Sequence, residues 1–291
     1  MINEFEHVTP TTLKDALTSL EQYGEDCKVI CGGQSLLVLM RQGLVAPEYI
    51  VDIKGVSELD YIQADSDGGV RIGGTTTHRE IENSSLIQEK FPVLAKMEKR
   101  LASVQTRNWG TIGGNVCHGD PAGDPAPVMI TLGASVKLAS AKGERTMAVE
   151  DFTLDFFETA LEEGELLVEF QIPAPKPHTG AAYTKFNIIQ SDLATVGAGI
   201  SITLGSDKET CEDARIGLAS AGPTPLRAKQ AEEKLRGKKL TEKLLQEAGE
   251  AASEEAEPLS DIAASEEYRR ELIKILVKRM GNEAWTQAKQ R

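Results

Sequence analysis

The chain has 291 residues, 40% of them hydrophobic and 26% charged, and its formal net charge is −13. These values are typical of a globular protein with room for two domains, and the acidic balance argues against a nucleic-acid partner, because no basic surface neutralises phosphates. No apolar run approaches the ~20 residues of a membrane-spanning helix, and the first residues do not resemble a signal peptide. We therefore expect no membrane span and a cytoplasmic location.

The first predicted unit contains a glycine turn between a strand and a helix. The predicted bounds are a helix over residues 13–23, a strand over 28–31, a helix over 36–42 and a strand over 49–53. Thr11 or Thr12 can cap the first helix, and Gly24 ends it. In the turn, Gly32 and Gly33 allow a backbone conformation in which successive N–H groups face an anion. The Gly-x-Gly-x-x-Gly fingerprint of Rossmann domains is absent.

A second glycine pair follows a region of mixed strands and helices. The predicted bounds are a strand over 70–74, a helix that starts at Pro92 and ends near residue 102, a loop over 111–115, a helix over 127–132, and strands over 135–139 and 166–172. Thr77 and Glu80 have the spacing of a capping box, although Thr76 and Thr77 are equally suited to line a ligand. Residues 117–127 are rich in glycine and proline, which predicts an irregular and functional segment.

Each glycine pair alone is equally consistent with an ordinary tight turn. Two of them in one domain indicate a longer anion, such as the pyrophosphate of a dinucleotide. No disulfide, metal ligand or catalytic residue is predicted, because the four cysteines and four histidines are scattered and the sequence has no evident acid–base motif. A redox cofactor suits that combination, since the cofactor carries the chemistry and the protein supplies binding.

The pattern changes after the proline-rich segment 173–177, which predicts a stiff linker or an edge. Strands are predicted over 181–188, 195–204 and 214–219, and helices over 226–236, after Thr241 and over 266–280. Alternating apolar residues in the second strand and apolar stripes in the helices predict a small antiparallel sheet with helices on one side. The chain as a whole is predicted to be α+β.

Over nearly its whole length the chain resembles the FAD-binding medium subunit of the molybdenum hydroxylases, a family that includes xanthine dehydrogenase and carbon monoxide dehydrogenase. The order and spacing of several motifs together carry the resemblance. They are Gly32-Gly33-Gln34-Ser35-Leu36-Leu37, Ile72-Gly73-Gly74-Thr75-Thr76-Thr77-His78, Thr111-Ile112-Gly113-Gly114-Asn115 with Asp124, Gly222-Pro223-Thr224-Pro225-Leu226-Arg227-Ala228, and Tyr268-Arg269-Arg270.

The resemblance implies a noncovalent FAD site in which the two glycine segments hold the pyrophosphate and adjoining groups. It implies that Asp124 accepts hydrogen bonds from the adenosine or ribityl part, that Leu167 contacts an apolar part of the cofactor, and that Lys185 approaches the flavin. The residues implied to bind FAD are Cys31, Gly32, Gly33, Gln34, Ser35, Leu36, Thr76, Thr77, Thr111, Gly113, Gly114, Asn115, Asp124, Leu167 and Lys185.

The resemblance also implies a two-part FAD-binding domain of the vanillyl-alcohol oxidase (PCMH) type over residues 1–176, followed by a C-terminal sheet with a helical cluster over residues 177–291. Molybdopterin would be held by a large partner subunit and the [2Fe–2S] clusters by a small one, in a dimer of heterotrimers. Electrons would pass from the partner's [2Fe–2S] cluster through FAD to NAD or another acceptor, and the chain alone would not act on the substrate.

The sequence departs from the family pattern in two places. Many relatives have alanine where this chain has Cys31, and a pair of arginines precedes Asp-x-Ala where this chain has Ile188 and Ile189. The missing positive charge bears on the flavin potential and on the identity of the acceptor. Two alternative functions are a self-sufficient flavin-dependent oxidase and a non-catalytic nucleotide-binding or assembly module.

Overall fold

The computed structural model describes residues 2–189 and 191–291. Its first unit contains β1 Glu6–Val8, α1 Leu13–Tyr23, β2 Cys27–Ile30, α2 Leu36–Gln42 and β3 Tyr49–Asp52. The three strands form a parallel sheet in the order β1-β3-β2. Thr12 caps α1 by accepting a hydrogen bond from the Asp15 amide, and Gly24 ends it with φ = 49°. The predicted order of strand, glycine turn, helix and strand is therefore confirmed.

The second unit is an antiparallel sheet flanked by short helices. Its elements are β4 Ile62–Ala64, β5 Val70–Gly73, α3 His78–Asn83, α4 Ser85–Lys90, α5 Pro92–Arg100, α6 Val104–Trp109, α7 Ile112–His118, α8 Pro125–Thr131, β6 Ser135–Ser140, β7 Gly143–Ala148, β8 Thr153–Asp155, β9 Glu158–Thr159 and β10 Leu166–Ile172. The order in the main sheet is β4-β5-β10-β6-β7. The sheet and helices share a core in which Phe152, Phe170 and Ile72 are fully buried.

The C-terminal unit is a second antiparallel sheet covered by helices. It contains β11 Thr179–Phe186, β12 Val196–Leu204, β13 Cys211–Ala219, β14 Leu226–Arg227, α9 Lys229–Leu235, α10 Glu242–Glu255 and α11 Glu266–Gln290. The strand order is β11-β12-β13-β14. Alternate residues of β12, such as Ile200 and Ile202, are fully buried in the core that this sheet shares with the helices. The predicted α+β class is confirmed. The predicted order, an N-terminal region in two parts followed by a C-terminal sheet with helices, is confirmed as well.

Helix α8 joins the two larger units, because it packs on the face of the C-terminal sheet where the strands carry glycine. A Cβ at Gly217 would clash with the Pro127 carbonyl oxygen, and one at Gly199 would meet the Thr131 hydroxyl. The two glycines therefore let α8 approach the sheet closely. This contact brings Asp124, which directly precedes α8, next to the end of β11.

Several predicted boundaries are wrong for local reasons. Residues 112–115 form the first turn of α7 rather than a loop, because Thr111 caps that helix. The segment 117–127 contains the end of α7 and the start of α8, since proline is compatible with the first turn of a helix. Leu226 and Arg227 pair with β13 instead of starting a helix, and α11 continues ten residues past Met280 to Gln290. Within the described residues no helix is long and apolar enough to cross a membrane.

Candidate functional site

A cleft of about 290 Å³ lies where the glycine turn after β2, the junction of α6 and α7, the segment before α8 and the C-terminal unit meet. Eleven of the fifteen residues that the sequence implicates in binding line this cleft. They are Cys31, Gly32, Gly33, Gln34, Ser35, Leu36, Thr111, Gly114, Asn115, Asp124 and Lys185. The two glycine segments, about 80 residues apart in the sequence, therefore contribute to one site.

The first glycine segment presents free backbone donors to the cleft. Within the part of the chain that the structure describes, the amides of residues 32–36 donate no hydrogen bond to another residue. Gly33 has φ = 68°, and this left-handed conformation turns the chain between β2 and α2. Successive unpaired N–H groups in such a turn form a concave site for an anion. The segment therefore has the donors that a phosphate group needs.

The glycine turn touches the α6–α7 junction directly. A Cβ at Gly32 would lie 2.6 Å from the Gly110 Cα and closer still to the Trp109 carbonyl oxygen. Real side chains do not make such contacts, so only glycine at position 32 permits this approach. The Lys54 ammonium donates to the same Trp109 carbonyl over 3.2 Å, which reinforces the junction from the side of β3. Gly32 thus closes the cleft at this end.

The second glycine segment differs from the anion nest that its sequence indicates. The Ile112 amide donates to the Thr76 carbonyl, the Gly113 amide to the Gly74 carbonyl and the Gly114 amide to the Thr111 hydroxyl. The first amides of α7 are therefore already paired within the protein. Gly114 instead leaves open space at the cleft, since a Cβ there would meet, within 4 Å and among the described residues, just the Thr111 hydroxyl, at 2.9 Å.

A buried ion pair closes the cleft from the C-terminal side. The Lys185 ammonium donates to Asp124 Oδ2 over 2.6 Å and to the Asp192 carbonyl over 2.8 Å, and the Tyr183 hydroxyl donates to Asp124 Oδ1 over 2.6 Å. The side chains of Asp124 and Lys185 are each only 4% exposed. Burial raises the pKa of Asp124 above its ordinary value, while the Lys185 charge and the two hydrogen bonds oppose that rise. The charge of Lys185 is thus compensated inside the protein.

Four of the implicated residues do not line the cleft. Thr76 is buried, and its hydroxyl bonds to the backbone of Tyr61, while Thr77 caps α3 in a complete capping box with Glu80. Gly113 packs against Gly74, and Leu167 belongs to the core of the second unit. The capping-box interpretation of Thr77 is confirmed, and the contacts of these four residues with a cofactor stay predictions.

The cleft also contains residues that the sequence does not single out as binding residues. They are Val29, Ile30, His78, Leu101, Ala102, Thr106, Gly110, Gly123, Ser191, Asp192 and Leu193. His78 lies within a motif that carries the family resemblance, so its position in that motif was an available signal. The others come from β2, from α6 and the connections on either side of it, from the segment before α8 and from the C-terminal unit, and only the folded chain brings them together.

The thiols near the cleft are not activated. Burial raises the pKa of the Cys31 thiol and raises that of Cys117 to about 12. A thiol with a raised pKa stays protonated and is a weak nucleophile at neutral pH. Among the described residues, no group of three or more His, Cys, Asp or Glu side chains is arranged to hold a metal ion.

Two family descriptions match most of the chain. Residues 3–175 match the FAD binding domain in molybdopterin dehydrogenase, and residues 181–284 match the CO dehydrogenase flavoprotein C-terminal domain. The chain is 35% identical to the carbon monoxide dehydrogenase medium chain of Hydrogenophaga pseudoflava over 281 residues, which cover 97% of each chain. It is 30% identical to the xanthine dehydrogenase FAD-binding subunit of Escherichia coli O157:H7 over 275 residues, 94% of this chain and 93% of that one.

The fold agrees with these matches. The structure aligns with carbon monoxide dehydrogenase from Hydrogenophaga pseudoflava with a TM-score of 0.95, 35% identity and coverage of 99% of both chains. It aligns with quinoline 2-oxidoreductase from Pseudomonas putida 86 with a TM-score of 0.92, 32% identity and the same coverage. The chain therefore belongs to the family of FAD-binding medium subunits of the molybdenum hydroxylases, and it is a subunit of an oxidoreductase complex.

Proposed function

We propose that this chain accepts electrons from a [2Fe–2S] cluster in a small partner subunit and passes them to NAD or another acceptor. FAD in the cleft supplies the redox chemistry, because it can take electrons singly and release them in pairs. A large partner subunit holds molybdopterin and oxidises the substrate, and the complex is a dimer of heterotrimers. The observation that carries the proposal is that residues 32–36, whose amides are unpaired, line the cleft of a chain that belongs to this family.

The residues of the chain would bind and enclose the cofactor without reacting with it. The amides of residues 32–36 would donate to phosphate oxygens, and Thr111 and Asn115 would offer side-chain polar groups on the facing wall. The Asp124–Lys185 pair would hold the C-terminal unit over the cleft, since it joins the segment before α8 to β11. Leu167 lies in the core of the second unit, and its contact with an apolar part of the cofactor stays a prediction.

The segment that follows β11, beside the cleft, is apolar rather than basic. Ile188, Ile189 and Leu193 are 70%, 60% and 56% exposed on the segment that follows β11, and Gln190 within it lies outside the described residues. NAD carries two phosphates, which basic side chains bind most readily. We therefore favour an acceptor other than NAD. Rapid reduction of the bound flavin by NADH would contradict that choice.

An exposed apolar surface next to the cleft suits a partner subunit. We define the partner surface as Phe156, Phe157, Ile188, Leu193 and Leu259, which line a cavity of about 620 Å³. All five are more than 40% exposed, and Leu193 also lines the FAD cleft. Exposed apolar clusters of this kind commonly mark protein–protein contacts. A partner that docks here would bring its cluster close to the cleft.

The cytoplasmic location stays a prediction.

The FAD cleft is tested by Gly114→Val. Valine methyl groups would occupy the open space at the cleft and crowd the Thr111 hydroxyl, so we expect the purified chain to lose FAD while it stays folded. The wild-type chain should carry about one noncovalent FAD, measured by absorbance after denaturation. Gly55→Val is the matched control, because a Cβ at Gly55 meets nothing within 4 Å and Gly55 does not line the cleft. A Gly114→Val chain with full FAD content would contradict the proposed site.

The subunit assignment is tested by isolation and reassembly. We expect the FAD-loaded chain alone to oxidise no hydroxylase substrate, and addition of the large and small subunits to restore turnover. Phe156→Glu with Ile188→Glu should prevent assembly in size-exclusion chromatography and leave FAD content unchanged, because a charge must be desolvated at an apolar interface. Ile275→Glu is the control, since Ile275 is exposed on α11 outside the partner surface. Turnover by the isolated chain, free of molybdenum and iron, would favour a self-sufficient oxidase, and a chain with no redox activity even in the complex would favour an assembly module.

A further inference from the structure

A buried histidine–glutamate pair lies against the wall of the cleft. His78, the first residue of α3, and Glu98 on α5 have side chains that are 3% and 0% exposed. The distance from His78 Nδ1 to Glu98 Oε2 is 2.8 Å. None of the binding roles assigned above uses this pair. Burial of charge costs free energy, so we expect two ionisable side chains this deeply buried to have a specific role.

The His78 ring is held in one position by contacts on two sides. The His78 amide donates to the Gly110 carbonyl over 3.0 Å, and a Cβ at Gly110 would lie 3.2 Å from His78 Cδ2 and 3.4 Å from Gln34 Cγ. The Cδ2 edge of the ring therefore packs at Gly110, which also adjoins Gln34 of the glycine turn. Glu98 on the opposite side fixes the ring orientation through Nδ1.

The second ring nitrogen of His78 has no hydrogen-bond partner among the described residues, and the His78 side chain lines the cleft. In the described part of the chain no hydrogen bond involves Nε2, and Nε2 keeps some exposed surface, whereas Glu98 Oε1 is fully buried and has no partner. His78 is also one of the residues that line the cleft. These observations favour an orientation in which Nε2 faces the space lined by the unpaired amides of residues 32–36.

We propose that the His78–Glu98 pair is a proton-carrying anion-binding unit, in which Nε2–H of His78 donates to a phosphate oxygen in the cleft and Glu98 acts as the positioning residue behind it. This inference rests on the proposed FAD site and adds to it a residue and a pH dependence. The proton of the pair can lie on either partner, so an arriving anion can draw it onto the imidazole without a change in the charge of the pair. Burial raises the pKa of Glu98, which favours retention of that proton.

The expected pH dependence follows from the same proton. When the pair loses it, Nδ1–H still donates to the Glu98 carboxylate, and Nε2 presents a lone pair that repels phosphate oxygens. FAD affinity should therefore be constant at low pH and fall up to about tenfold per pH unit above the apparent pKa of the pair. Other charged groups near the pair are Arg107 on α6, which bonds to Glu82 of α3, and Asp124 and Lys185 across the cleft.

The test measures the FAD dissociation constant of the full chain by flavin fluorescence between about pH 5.5 and about pH 8.5. His78→Gln places a neutral N–H near the position of Nε2, so it should keep near-wild-type affinity at intermediate pH with a flat profile. His78→Asn keeps only the contact with Glu98 and should bind about tenfold more weakly at low pH. Glu98→Gln should keep FAD affinity at high pH and flatten the profile, because its amide N–H donates to Nδ1 as a protonated carboxyl would and leaves the proton of the neutral imidazole on Nε2.

The difference between the wild-type and His78→Gln profiles reports on His78, because the Asp124–Lys185 pair is present in both. His118→Asn is the histidine control and should leave the profile unchanged, since His118 does not line the cleft. Identical profiles for wild type and His78→Gln, with FAD bound by both, would overturn this inference and leave the FAD site intact. If the wild-type chain bound no FAD at any pH, the proposed function would fail, and this inference would fail with it.

Discussion

Gly32→Ala is expected to reduce FAD binding sharply and to destabilise the chain. The added methyl group would lie 2.6 Å from the Gly110 Cα and closer to the Trp109 carbonyl, and both are backbone atoms that cannot rotate away. The glycine turn and the α6–α7 junction must therefore separate, which opens the cleft between them. Overpacking of this kind costs about 1–3 kcal/mol. We expect a lower melting temperature and a large rise in the FAD dissociation constant.

The matched control for this variant is Gly55→Ala, where the new methyl group meets nothing within 4 Å. Thermal unfolding followed by circular dichroism gives the stability, and flavin fluorescence gives the affinity. We also expect excess FAD to raise the melting temperature of Gly55→Ala more than that of Gly32→Ala, because only the intact cleft binds the ligand tightly. A Gly32→Ala chain with wild-type stability and FAD content would show that the close approach of the two segments is not needed.

Local signals in the sequence were sufficient for the first unit of the fold. Helix α1 has a capping threonine, an apolar stripe and a terminal glycine, and its predicted bounds coincide with Leu13–Tyr23. Helix α2 begins and ends at the predicted residues for a similar reason, since Gly43 adopts φ = 73° at its end. Where the residues that begin and end a helix lie next to it in the sequence, the predicted bounds are correct.

The errors occur where distant residues determine the local structure. The segment after Thr111 differs from the expected anion nest because the amides of Ile112 and Gly113 pair with the carbonyls of Thr76 and Gly74, which lie more than 30 residues earlier in the chain. Gly113 is needed for that packing, since a Cβ there would clash with the Gly74 carbonyl oxygen. A glycine pair can therefore indicate the close approach of either a ligand or another backbone segment, and the sequence alone does not distinguish these two cases.

The candidate site was only partly predictable for the same reason. The glycine turn at residues 32–36 could be identified from its own sequence, but its direct contact with Gly110 could not. The partnership of His78 with Glu98 depends on the packing of α3 on α5, and nothing in the spacing of 20 residues reveals it. The family resemblance indicated Lys185 as a flavin neighbour. It did not indicate that Asp124 and the Asp192 carbonyl hold the ammonium inside the protein.

Lys185→Ala is expected to destabilise the chain strongly, because it leaves the Asp124 carboxylate buried without its cation. Of the side-chain donors that the structure describes at Asp124, the Tyr183 hydroxyl alone would remain. Removal of one partner from a buried ion pair typically costs about 3–5 kcal/mol. The loss should also release the segment before α8 from β11, so FAD content should fall as well. Lys185→Met with Asp124→Asn should recover most of the stability, because that double change removes both charges and keeps an acceptor for Tyr183.

The pH dependence distinguishes this electrostatic effect from a simple loss of packing. Without Lys185, the pKa of Asp124 in the folded chain must rise further above its unfolded value of about 3.9. Between those two values the folded state binds more protons than the unfolded state, so stability falls as pH rises through that window. The stability difference between wild type and Lys185→Ala should therefore be small near pH ~5 and larger near pH ~8. A constant difference across that range, or a double variant no more stable than Lys185→Ala, would show that the Asp124 charge is not the cause.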